Sequence, residues 1–143
     1  MLRKVGAWLL AVLVAYAIGT IAGTQFVLGK LAELGVVVPL GDRLGTTFFD
    51  LVGMATSYLP LVAVALAIAF AVAALIIRFR PGWRSFGYPL AGAVAFLVLH
   101  LALELAIGFA PVAGVRSTAG LVAQVLAGAL GGYVLLRALP ASR

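Results

Sequence analysis

Cysteine is absent from all 143 residues. That excludes a disulfide framework, a thiol redox pair, a thiolate nucleophile and a cysteine-based zinc site. Charge is scarce too: Asp, Glu, Lys and Arg make up 10% of the chain, and only four residues are acidic. A soluble domain carries about a quarter charged residues, because its surface must face water. With a single histidine, bis-histidine haem ligation within one chain is impossible. One His beside one Glu also falls short of the three or four protein ligands that a metal site wants. No nucleophile–base pair, phosphate loop or dinucleotide fingerprint is present, since the glycines of Gly41-Asp42-Arg43-Leu44-Gly45 lack a strand–helix context.

What remains is apolar. Hydrophobic residues are 65% of the chain and the mean hydropathy is +1.24, so lipid is the simpler solvent. Each membrane span needs about 20 apolar residues, and four spans nearly fill this length. The expectation is an all-α integral membrane protein forming one membrane domain over residues 1–143. Its core is a four-transmembrane-helix bundle with spans near 5–23, 59–77, 88–110 and 117–136, and an outer interfacial helical segment at 25–58. The apolar run after Arg3-Lys4 is about 19 residues, longer than the hydrophobic region of a secretory signal. It is read as an uncleaved first helix, with Trp8 anchored at headgroup level.

Within the outer segment, Phe26, Val27, Leu28, Leu31 and Leu34 alternate with Gln25, Lys30 and Glu33, as in a helix lying at the interface. Pro39, Gly41 and Gly45 predict a loop over 36–45. Thr47-Phe48-Phe49-Asp50 has the form of a capping box, so the next helix is expected to start there. Pro60 is expected to divide it from the second span.

The basic residues fix an expected orientation. Arg3, Lys4, Arg78, Arg80, Arg84, Arg137 and Arg143 fall on one side, and Lys30, Arg43 and Arg116 on the other. The positive-inside rule places the first group, with both termini, in the cytoplasm. Orientation and anionic lipid account for this charge, so no nucleic-acid partner is inferred. A cysteine-free chain rich in Ala, Gly and Arg points to a GC-rich bacterium, and hence to the inner membrane.

Two ionisable residues lie inside a predicted span. His100 and Glu104 share a helix face with Gly92, Phe96 and Gly108. The last helix has a matching line of Gly120, Gln124, Gly128 and Gly132. Glycines let such faces approach closely. Counted from the connecting turn, Glu104 and Gln124 lie at similar depth, roughly 10 Å below the outer surface. They are therefore expected to pair and to face the bundle interior. The seam reads either as a protonatable relay or cation site, or as an interhelical hydrogen bond with Glu104 neutral or reached by Arg116.

Asp50, Ser57, Tyr58 and Arg116 form a candidate outer mouth; alternatively Asp50 caps a helix and Tyr58 is a belt anchor. Arg78, Arg80, Trp83 and Arg84 form a basic turn suited to lipid head groups. The expected function is a non-enzymatic accessory or interaction subunit, with self-association or a larger membrane complex left open. A small oligomeric transporter or channel using His100 and Glu104 is the alternative, and a lipid-binding or lipid-modifying protein the second. No cofactor or metal is expected; membrane lipids are the expected partners.

Overall fold

A computed structural model of the protein describes residues 2–108 and 113–140. The end of the expected third span at 109–110, and Arg143, lie outside them. Among the described residues the chain is helical, without strands. Helix α1 is Leu2–Glu33, α2 Leu40–Gly53, α3 Tyr58–Phe79, α4 Arg84–Ile107 and α5 Thr118–Ala138. Short 3₁₀ turns at Pro81–Trp83 and Ala113–Arg116 precede α4 and α5. Among the described residues, four helices are long and apolar enough to cross a membrane: α1, α3, α4 and α5.

The four form a closed ring in which α5 packs on α4 and α1, and α3 packs on α4 and α1. Glycine sets the tightest seam. A Cβ on Gly92 would collide with the Gly128 carbonyl, one on Gly128 with the Gly92 carbonyl, and one on Gly132 with the Tyr88 carbonyl. Backbones therefore touch directly, as small residues permit between membrane helices. Gly131 plays the same part against Ala11 and Ala15 of α1. Val62, Leu66 and Phe96 fill the centre and are fully buried. The glycine lines expected to meet do meet, and both belong to one chain.

The outer segment departs from expectation in three places. Residues 25–33 are not a separate helix, because α1 runs through them unbroken to Glu33. The loop expected over 36–45 shrinks, and α2 begins at Leu40 directly after Pro39, which sits at φ −60°. Leu40, Leu44, Phe48 and Val52 recur at four-residue spacing along one face of this helix, which forms despite the helix penalty of Gly41 and Gly45, about 1 kcal/mol each. Thr47 is consequently mid-helix, and its hydroxyl donates to the Arg43 carbonyl (2.7 Å) instead of capping a helix start. Pro60 divides nothing. It occupies the first turn of α3, where its missing N–H would have no helical partner anyway. The break falls earlier, at 54–57.

Trp8 also differs from the expected anchor. It is half-buried against the core, and among the described residues its indole N–H has no partner.

Polar side chains hold α2 along the second half of α1. The Tyr16 hydroxyl donates to the Leu51 carbonyl (2.6 Å). The Thr24 hydroxyl donates to the Asp50 carboxylate (2.7 Å), and the Gln25 amide to Thr47 (3.0 Å). Thr24→Val removes the donor to a charged acceptor, worth about 1.5–3 kcal/mol. Amide exchange across Leu40–Gly53 should then accelerate while α4 and α5 stay protected. Unchanged protection of α2 would mean these bonds do not hold it.

Candidate functional site

Four helices bring one buried polar chain together. α3 opens with Tyr58, at the head of the core-facing stripe Tyr58, Val62, Leu66 and Phe70. α4 supplies Phe96 and His100, α5 supplies Gln124, and α1 supplies Gly19. His100, Tyr58 and Gln124 are all at most 4% exposed.

Geometry fixes the direction of the bonds at both ends. His100 Nδ1 lies 2.7 Å from the Phe96 carbonyl. A carbonyl only accepts, so Nδ1 carries a proton. Gln124 Nε2 donates to the Gly19 carbonyl at 2.7 Å, which turns its Oε1 toward α3. Tyr58 stands between them, its hydroxyl 3.2 Å from His100 Nε2 and 3.5 Å from Gln124 Oε1. With His100 neutral, one hydroxyl proton faces two acceptors. The imidazole also lies between the rings of Tyr58 and Phe96, with both centroids at 5.9 Å. Gly19 makes room for the carboxamide, since a Cβ there would stand 2.7 Å from Gln124 Oε1.

Glu104 does not join this chain. It is exposed, and Gln124 turns to Gly19 and Tyr58 instead. Register explains the difference. Gly92 opposite Gly128 and Tyr88 opposite Gly132 set α4 against α5. Continued antiparallel, that register puts Gln124 level with Phe96. Glu104 then lies beyond the start of α5 at Thr118. α4 itself ends at Ile107, because Gly108 takes a left-handed conformation (φ 79°) and donates its N–H to the Glu104 carbonyl. Counting depth from the ends of longer helices leads to the wrong pairing. Arg116 is exposed and makes no ion pair with Glu104; among the described residues the ion pair present is Lys30–Glu33.

The candidate mouth also separates. Ser57 is exposed at the start of α3, and Asp50 is committed to Thr24. Tyr58 points inward and is no belt anchor. At the other end of the bundle Arg78, Arg80 and Trp83 are exposed. Arg84 instead ties the start of α4 to the end of α5, donating to the carbonyls of Leu139 (3.2 Å) and Pro140. Among the described residues no three His, Asp or Glu side chains gather as a metal ion would need.

Sequence reasoning misses Tyr58 as a partner of the seam, Tyr16, whose ring lies 6.0 Å from the Tyr58 ring, and Gly19. A signal for the first two exists in the four-residue spacings Tyr58-Val62-Leu66-Phe70 and Val12-Tyr16-Thr20-Thr24, each running down one buried face.

The chain matches no protein-family model, and neither a curated protein nor a solved structure is similar to it.

Proposed function

We propose that the protein is a multi-pass membrane protein of a bacterial inner membrane, with its basic end in the cytoplasm, acting as a non-catalytic accessory or interaction subunit. One observation carries this reading. The buried polar chain ends on the protein's own backbone, at the Phe96 and Gly19 carbonyls, and the α4–α5 seam is closed backbone to backbone. Such an interior serves packing, and leaves the apolar perimeter, such as Leu61, Val64, Ile68 and Val72 of α3, for lipid and partner helices. The helix α2, with Leu40, Leu44, Phe48 and Val52 exposed, fits an interfacial position.

Proteoliposomes under a pH gradient test the functional part. The expected result is no proton flux above empty vesicles. Flux that His100→Gln abolishes would overturn it in favour of a relay. That second reading has its own support, the single Tyr58 proton between two acceptors: protonating His100 Nε2 would let Tyr58 donate to Gln124, satisfying both.

Orientation is tested separately. The cysteine-free chain allows single-site labelling, and Arg80→Cys should react only from the cytoplasmic side and Gly35→Cys only from the periplasmic side. The reverse pattern would refute the topology.

A further inference from the structure

At the basic end, α3 and α4 do not close fully against each other. A groove of about 350 Å³ runs between them. Its lining includes the small residues Ala69 and Ala73 on α3 and Gly87 and Ala91 on α4, and the paired rings of Trp83 and Phe86, centroids 5.4 Å apart. Between Gly87 and Val94 it extends about 10 Å along the helix. The lining is aliphatic and aromatic throughout, so a polar ligand has nothing to bond inside it. In the chain, Arg78 directly follows Ile77 of the lining and Arg80 lies three residues before Trp83; both are exposed. No acidic residue lies between Ala69 and Val94 in the sequence.

We infer that this groove holds one acyl chain of an anionic phospholipid, with Arg78 and Arg80 on its phosphate. The inference rests on the membrane reading above. The two halves of the site match the two halves of the ligand: an apolar groove between α3 and α4, and two exposed cations in the basic turn at its end. Trp83, half-exposed where the two meet, suits the boundary between acyl chain and head group. Arg84 is excluded from the grip because it is held by the end of α5.

The test uses the full chain in mild detergent, titrated with phosphatidylglycerol and phosphatidylcholine of identical acyl chains and read by native mass spectrometry. Two arginines near a phosphate predict a preference for phosphatidylglycerol of about 30-fold at low salt, falling as salt rises. The double substitution Arg78→Gln and Arg80→Gln should bring it down to the phosphatidylcholine level. Ala91→Phe, which fills the slot, should weaken both lipids. Should that variant misfold, a second measurement stands in for it. In a Trp8→Phe background, phosphatidylglycerol with brominated acyl chains should quench Trp83 more strongly than brominated phosphatidylcholine. Equal binding of the two lipids, a preference that survives loss of both arginines, or equal quenching would each overturn the inference. None of these outcomes touches the labelling result, so failure here is distinguishable from failure of the membrane reading.

Discussion

Gly128→Leu should be the most damaging single substitution in the chain. The first atom added at Gly128 already collides with the Gly92 carbonyl and with the Phe96 ring, and three more follow it. Overpacking a well-filled site typically costs about 1–3 kcal/mol. Here the obstacle is backbone, which cannot rotate away, so the cost should lie at or above the upper end. Gly92→Leu should behave alike. The control is built into the same sequence: Gly6 and Gly29 sit in helix α1 with nothing within 4 Å of the place a Cβ would take. Alanine there removes the helix penalty of glycine and should stabilise by about 0.5–1 kcal/mol. Thermal melting in one detergent, followed by circular dichroism, separates the two signs. Equal melting of Gly128→Leu and the parent would mean that α4 and α5 are not in backbone contact.

Tyr58→Phe should come second, and its effect should depend on what faces it. Removing the hydroxyl takes away the one proton that His100 Nε2 and Gln124 Oε1 share, leaving both acceptors buried without a donor where one was satisfied before, at a cost of about 1–3 kcal/mol. Gln124→Leu is milder. It takes away an acceptor that was competing for a single proton, and the Gly19 carbonyl keeps its place in the α1 backbone. Adding Gln124→Leu to Tyr58→Phe should therefore recover part of the loss, because one of the two orphaned acceptors is gone. A double-mutant cycle measures this directly. Strict additivity would show that Tyr58 and Gln124 do not share a bond.

These two sites show what can be read from the sequence. The glycine lines on α4 and α5 are legible because a four-residue period of residues without side chains has one physical use between helices. The long apolar runs are legible because their lengths match a bilayer. The pairing across the seam is not, because register is set by where backbones touch. Counting inward from helix ends gives Glu104 the place that belongs to Phe96. Tyr58 reads as an outward anchor because aromatic residues near helix ends usually are. Its contacts with Tyr16 of α1, His100 of α4 and Gln124 of α5 hold it inward. Thr47 and Asp50 look like a helix start, since a capping box is a local pattern. The helix in fact begins seven residues earlier, after Pro39, and both side chains bond elsewhere on α1 and α2.

The unbroken run of α1 has a mechanical consequence. At 32 residues it is about 48 Å long, against roughly 30 Å of hydrocarbon and 40–45 Å with head groups. Its far end carries the Lys30–Glu33 pair, and beyond it Leu34 and Val37 are exposed. In the proposed membrane setting, standing upright would push those apolar residues toward water, whereas leaning would keep them among the head groups. A thinner bilayer then demands a larger lean. Because Tyr16, Thr24 and Gln25 hold α2 to that lever, α2 should ride up or down the membrane surface as bilayer thickness changes.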